Sequence, residues 1–298
     1  MSAASPYLSA YDCPPTLDDG QVVEFCRNGY LMLPGVVSHE VNQRVVAHLE
    51  EVNDSYEPTP LMHERWFVDE VICNPQAAGA VRSLLGGDFL LPAIISNHRG
   101  ETPKPAQGWH RDGGSRYLTD LDYLQVFYYP EECTEEIGPT DVLPGSHFLR
   151  TKANMMGHYG HIAGTVSTAS PAGTIFLTVY SIWHRRGRAT AEATGTRSSF
   201  RNLLKYNYWR TRPPARDWIV DPEFDFSTAI FNPPGGPLYE QFQGAIAAAR
   251  LFAWLCGEPG EYDFRGGQNW PVSMTVRDGI DAPGIPATLA RQRRSQQP

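Results

Sequence analysis

Several things are scarce in this sequence, and each scarcity excludes something. No apolar run approaches the roughly 20 residues that a helix needs to cross a bilayer. Basic residues are the minority, 25 Lys and Arg against 33 Asp and Glu, for a formal net charge of −8. No basic stripe stands out to displace counterions from a phosphate backbone, so the expected partners include neither nucleic acid nor membrane. Cysteines number five (Cys13, Cys26, Cys73, Cys133, Cys256), and none forms a C-x-x-C pair. Scattered and odd in number, they suit reduced, mostly buried thiols in a cytosolic protein. The opening MSAASPYLSAYDCPP has neither a basic start nor an apolar stretch, so no secretory leader is expected and a cytoplasmic location is. Internal repeats and low-complexity tracts are also missing.

What is present is ordinary globular composition, 41% hydrophobic and 19% charged over 298 residues. No linker divides the chain, and the expectation is one domain over residues 1–298 in three parts. In the helical N-terminal part, 16–86, Thr16-Leu-Asp-Asp19 reads as a capping box opening a helix that Gly29 ends. YLMLPGVV, 30–37, reads as a short strand. Ser38 caps a second helix with Val41, Val45, Leu49 and Val52 in one stripe, and a third helix covers 75–86, stopped by Gly86-Gly87. From about 88 to 210 short apolar strands alternate with Gly/Pro turns: FLLPAIISNH, YLQVFYYP, TDVLPG, AGTIFLTVYSIWH, SFRNLLKYNYWR. That pattern predicts a mainly β fold with surrounding helices, a sandwich or jelly roll and not βαβ units. The C-terminal extension, 211–298, is Pro-rich and carries a helix over about 238–256, with Leu238, Phe242, Ile246, Ala249 and Ala253 on one face.

Within the β part lies GWHRDGG, 108–114. Residues two apart on a strand point the same way, so His110 and Asp112 can grip one object. An imidazole and a carboxylate are two of the three ligands of the 2-His-1-carboxylate site that holds non-haem Fe(II). The third ligand should come from a distant strand. His184 ends the apolar strand TIFLTVYSIWH beside a polar Arg/Gly segment, where a site residue would sit. His158 and His161 form an H-x-x-H pair, a weak competitor, and the remaining histidines, His98 and His147 included, read as packing or surface. Beyond His184 the chain runs RRGRATAEATGTRSSFRNLLKYNYWR. Arginine suits a carboxylate because its planar fork binds bidentately and stays charged; Arg201 and Arg197 both qualify.

Taken together, GWHRDGG, GPTDVLPGSH (138–147), IWH (182–184) and FRNLLKYNY (200–208), in this order, resemble the phytanoyl-CoA dioxygenase family of Fe(II)/2-oxoglutarate-dependent oxygenases. FCRNGYLMLPGVVSHE (25–40) resembles that family's opening helix-strand-helix, so the likeness spans roughly residues 20–210. The resemblance implies a double-stranded β-helix, a cupin-like jelly roll, with His110, Asp112 and His184 on the iron. It implies Arg201 on the far carboxylate of 2-oxoglutarate and Asn97 in contact with that cosubstrate, with Gln125 and Thr140 as further candidates for the same pocket. Arg201 lies seventeen residues after His184, where the family has about ten to twelve; Arg197 lies thirteen after it, and the choice between them stays open. Fe(II), 2-oxoglutarate and O2 are the implied cofactors and cosubstrates. The implied reaction oxidises an unactivated C–H of a small organic substrate, releasing succinate and CO2, by hydroxylation or by desaturation, ring formation or demethylation. An aspartate at 112, where related halogenases carry a small residue, argues against halogenation.

Trp109 and Trp183 flank the ligands and pack behind them or touch substrate. The glycine-rich stretch 150–170 has the composition of a lid or of a plain surface loop. Trp218 and the 238–256 helix cover the mouth or form a dimer surface, so a homodimer stays open. The rival classes are a metal-binding jelly roll without oxygenase activity and, behind it, a zinc hydrolase, for which no general base stands at a suitable spacing.

Overall fold

The computed structural model describes residues 9–51, 59–112, 120–149, 152, 154–190, 200–224 and 238–257. The fold is mainly β, with helices packed outside one sheet. Helices α1 (Asp19–Asn28), α2 (His39–Glu51), α3 (Arg65–Phe67, continued by a π turn at Val68–Ile72), α4 (Pro75–Leu85) and α5 (Leu238–Leu255) accompany twelve short strands. Strands β1 (Ala10–Tyr11), β3 (Phe89–Leu90), β12 (Leu204–Trp209), β6 (Tyr123–Tyr129), β9 (Thr174–Val179) and β2 (Tyr30–Leu33) form the large sheet in that order, and β4 (Ser96–Asn97) also pairs with β12. Opposite it lie a three-stranded sheet, β10 (His184–Arg186), β7 (Thr140–Val142) and β8 (Val166–Ser167), and a pair, β11 (Phe200–Arg201) with β5 (Gly100–Glu101). Both edges of the large sheet come from the N-terminal part, since β1 pairs with β3 and β2 with β9.

Alternation along β6 separates two interiors. Leu124, Val126 and Tyr128 face the helices, joining Val22, Phe25, Val45, Leu49, Phe67 and Leu84 in the main core. Phe127 and Tyr129 face the other way, into a smaller cluster with Cys133, Phe176 and Leu203 between the sheets. The period of two puts these sets on opposite sides of one strand. The helix-side core is pinned by one buried polar pair: the Tyr128 hydroxyl donates to Asn42 Oδ1 at 2.6 Å, and Asn42 Nδ2 donates to the Val37 carbonyl at 3.2 Å.

The helix signals need one correction. Asp18, not Thr16, is the N-cap of α1: its carboxylate accepts from Gln21 N at 2.8 Å, and Gln21 Oε1 accepts from Asp18 N at 3.1 Å, a reciprocal box displaced by two residues. Thr16 ties the incoming chain to α4, its N–H donating to Ser83 Oγ at 3.1 Å and to Gly79 O at 3.2 Å. Gly29 ends α1 at φ 77°, and a Cβ there would lie 2.3 Å from His147 Nδ1, so conformation and space both demand glycine. Helix α4 is capped by Asn74, which accepts from Gln76 N and Ala77 N, and stops at Gly86 as expected. Segment 65–72, with no sequence expectation, is helical. On α5, Ala249 and Ala253 are buried as expected, with Phe252 and Leu251; side chains 238–243 and 245–246 lie outside the described set.

The C-terminal segment is clamped by a wholly buried carboxylate. Asp19 accepts from Arg216 Nε (2.8 Å) and Nη2 (2.7 Å), Trp218 Nε1 (2.8 Å) and Asp221 N (2.7 Å). Replacing it removes two bonds from the Arg216 guanidinium and one each from the Trp218 indole and Asp221 N, so Asp19→Ala is expected to lower unfolding free energy by about 3–5 kcal/mol in urea titration; a loss under about 1 kcal/mol would refute the clamp. His147 offers a second check. Burial depresses its pKa to about 4, although the Cys26 carbonyl, 3.1 Å from Nε2, opposes this. An unfolded histidine titrates near 6.5. The stability tied to its neutral form is therefore complete above pH 6.5 and falls as pH drops toward 4, by about 1.4 kcal/mol per pH unit. His147→Gln should flatten urea-midpoint loss across that window by one histidine's share, and an unchanged slope would contradict the depressed pKa.

Candidate metal centre

The segment 100–112 is the template of the site. Its start, β5, pairs with β11, Arg201 lying opposite Gly100. Further on, Lys104 and Ala189 exchange backbone hydrogen bonds, 2.9 Å each way, and Gln107 N donates to Arg186 O at 2.9 Å. At its end His110 and His184 form a reciprocal pair, N–H to O at 3.1 and 3.0 Å. Directly opposed residues of an antiparallel pair project to the same face, and the two imidazole rings stand 4.5 Å apart between centroids. Asp112, two residues on, joins them. One ligand atom from each of His110, Asp112 and His184 lies within 4.8 Å of the other two.

Tautomer and charge suit a cation. His110 Nδ1 is 2.9 Å from the Gly108 carbonyl and His184 Nδ1 3.1 Å from the Ile182 carbonyl. A carbonyl only accepts, so both Nδ1 atoms carry hydrogen and both Nε2 lone pairs are left for the site. Burial, chiefly, holds His184 at a pKa of about 4, against the opposing pull of Asp112, so it is neutral at pH 7 and its 3.8 Å approach to Asp112 is not an ion pair. Burial would raise Asp112, but His184, Lys205 and Gln125 outweigh it and hold the carboxyl at about 2. Gln125 Nε2 donates to Asp112 Oδ2 at 2.6 Å and Lys205 Nζ donates to the same oxygen.

The remaining predicted residues divide. Arg201 is 5% exposed, donates Nη1 to the Gly138 carbonyl, and holds its Nε buried without a partner. A buried guanidinium with an unused donor fits an anion. Thr140 lies near it in a closed network, its N–H donating to the Tyr129 hydroxyl at 3.0 Å and Tyr129 bonding Thr168 at 2.9 Å; Arg201 acts electrostatically on Tyr129. Asn97 spends its amide on the turn after Arg201, donating to Asn202 Oδ1 at 2.9 Å and accepting from Leu203 N at 3.1 Å. Gln125 reaches the metal ligand set, not the arginine. Trp109 and Trp183 are wholly buried, beneath the guanidinium groups of Arg185 (4.7 Å) and Arg111 (5.7 Å). Arg197 lies outside the described residues. His158 and His161 are exposed and apart from the cluster. The 150–170 stretch, where described, packs on the template: a Cβ on Gly108 would lie 3.0 Å from Gly157 O, and Arg185 Nη1 donates to Gly160 O.

Sequence reasoning missed Lys205 and His98. Lys205 sits in an alternating strand, indistinguishable there from a solvent-facing lysine, yet its ammonium also stands 5.1 Å from the Phe127 ring centroid. His98 is depressed to about 4 by burial first, then by Lys205, with Arg201 and His110 adding to it and Asp112 opposing, so it lies among the site's charges. Register identifies the opposite wall. Asn207 pairs with Gln125 and Trp209 with Tyr123, and the Tyr123 and Tyr180 rings are 5.1 Å apart. Gln125 Oε1 and Asn207 Oδ1 are buried acceptors without partners.

No protein-family model and no curated protein matches this sequence. Solved structures do match in fold. HygX from Streptomyces hygroscopicus with nickel and 2-oxoglutarate bound aligns at TM-score 0.53 and 17% identity, covering 66% of this chain and 88% of that one. The same protein with iron bound gives 0.50 at 16% identity, again over 66% and 88%. EvdMO1 gives 0.50 at 16% identity over 64% of this chain and 50% of its own. What is shared is the jelly-roll architecture. No described helix is long and apolar enough to cross a membrane.

Proposed function

We propose that this chain is a non-haem Fe(II)/2-oxoglutarate-dependent dioxygenase that oxidises an unactivated C–H of a small organic substrate. The observation that carries this reading is the His110–Asp112–His184 cluster, with both histidines locked as Nε2 donors. The buried, unused Nε of Arg201 supports a dicarboxylate cosubstrate. The likeness to HygX, a protein crystallised with iron and with nickel and 2-oxoglutarate, agrees with both. The finer assignment, to the phytanoyl-CoA dioxygenase family, rests on the ordered motifs of the sequence, and the single-domain reading on the absence of a linker in it.

When bound, Fe(II) and 2-oxoglutarate supply the oxidising chemistry, consuming O2 and releasing succinate and CO2. The chain's own residues hold and orient. His110, Asp112 and His184 would hold the metal on one face and leave its other positions open. Arg201 would take the distal carboxylate. Phe127, stacked on Phe176 at 4.5 Å and edge-on to His184 at 5.9 Å, would present apolar surface beside the metal ligands and help to exclude water there. The substrate would lie toward Tyr123, Tyr180 and Trp209, where the free oxygens of Gln125 and Asn207 would accept from its polar hydrogens. A metal-binding jelly roll without turnover leaves the buried Arg201 Nε unexplained.

Anaerobic Fe(II) and 2-oxoglutarate should give the weak visible charge-transfer band of the chelate, and His110→Ala or His184→Ala should each abolish band and turnover. Activity in either variant would sink the triad. Arg201→Ala should raise the 2-oxoglutarate requirement about 10- to 100-fold, the worth of a charged hydrogen bond, while leaving iron affinity unchanged. If Arg197→Ala does so instead, Arg201 is not the anchor.

A further inference from the structure

We infer that Lys205 makes binding of the divalent ion and of the dicarboxylate mutually dependent, acting as a charge gate on the metal centre; this rests on the oxygenase reading above. The side chain is 12% exposed, and its ammonium donates to Asp112 Oδ2, the oxygen that also receives Gln125 Nε2 at 2.6 Å. That oxygen also stands 3.8 Å from His184 Nε2, so the ammonium sits on the Asp112 oxygen that faces the metal position. The same arrangement places a fixed positive charge one carboxylate away from the metal position.

The charges around it are unbalanced. Lys205, on β12, and Arg201, on β11, are two largely buried cations. Asp112 is the carboxylate that faces Lys205. Asp141, on β7, is committed to Arg185 at 2.8 Å. A dication held by two neutral histidines and one carboxylate therefore enters a site that the Lys205 ammonium already faces, beside the stacked rings of Phe127 and Phe176, where low-dielectric surroundings screen charge poorly. Metal alone is disfavoured by Lys205. Metal with a dianion is not, because the incoming carboxylates replace the charge that Asp112 gives up to the metal. By linkage, each ligand then raises the other's affinity by the same factor, typically 5- to 150-fold. Reduced iron held without cosubstrate is prone to wasteful oxidation, and a site that binds it weakly until 2-oxoglutarate arrives limits that loss.

The test uses Ni(II), which needs no exclusion of air, titrated calorimetrically into the full chain with and without saturating 2-oxoglutarate. Lys205→Met should bind Ni(II) alone about tenfold or more tightly than wild type, and the gain in affinity on adding 2-oxoglutarate should shrink by a similar factor. Lys205→Arg, which keeps the charge, should retain the wild-type dependence, and unfolding curves establish that both variants are folded. If Lys205→Met binds Ni(II) alone more weakly with the coupling unchanged, Lys205 only positions Asp112 and the gate is refuted. If the affinities match wild type, it is refuted also. If wild type binds no Ni(II) under either condition, the metal-centre reading itself fails.

Discussion

Two backbone hydrogen bonds, exchanged between His110 and His184, are the constraint on which the site depends. These residues are far apart in sequence and come from strands that share no turn. Pairing them face to face puts both imidazoles on one side of the small sheet, and the strand period adds Asp112 to the same side. Each Nδ1 then finds a backbone carbonyl two residues earlier in its own strand, Gly108 or Ile182. The ring orientation is thus set by the main chain, which a side-chain substitution nearby would not easily disturb. A one-residue slip of either strand would turn one histidine to the opposite face.

The second organising feature is the division of β6. Its even residues close the core beneath the helices and its odd residues line the space between the sheets. The same seven residues thereby carry fold stability on one face and chemistry on the other. Along the inner face the character changes in order: Tyr129 beside Arg201, Phe127 beside His184 and Lys205, Gln125 on Asp112, and Tyr123 against Tyr180. A buried arginine, the His–Asp cluster and an aromatic pair follow one another along this face by alternation and register, which gives the site a direction.

Much of this was legible in the sequence because it is local. HxD spacing, the strand ending in His184, the Gly helix boundaries and the jelly-roll alternation all depend on residues close in sequence. What was illegible depends on distant partners. Lys205 reads as one polar position in LLKYNYW, and only its contact with Asp112, 93 residues away, gives it a role. His98 reads as a strand-end histidine until Lys205, Arg201 and His110 surround it. Gln125 reads as a candidate for the cosubstrate pocket, and its hydrogen bond to Asp112 is not visible in the sequence. Thr16 lost the cap of α1 to Asp18 because both satisfy the same short pattern, and the choice was made by Gly79 and Ser83 on α4.

The spacing between His184 and Arg201, seventeen residues where the resembled family has about ten to twelve, illustrates which quantity a fold holds constant. Chain length between two site residues is not fixed by physics, since lengthening a surface connection costs little. What positions Arg201 is its pairing with Gly100, and what positions His184 is its pairing with His110. Both partners belong to the one segment 100–112. Provided that segment keeps its course, the chain after Ala189 can grow or shrink without moving either residue. Arg201 and His184 are therefore spaced by this one segment, and the residue count that separates them in sequence carries almost no information about the geometry between them.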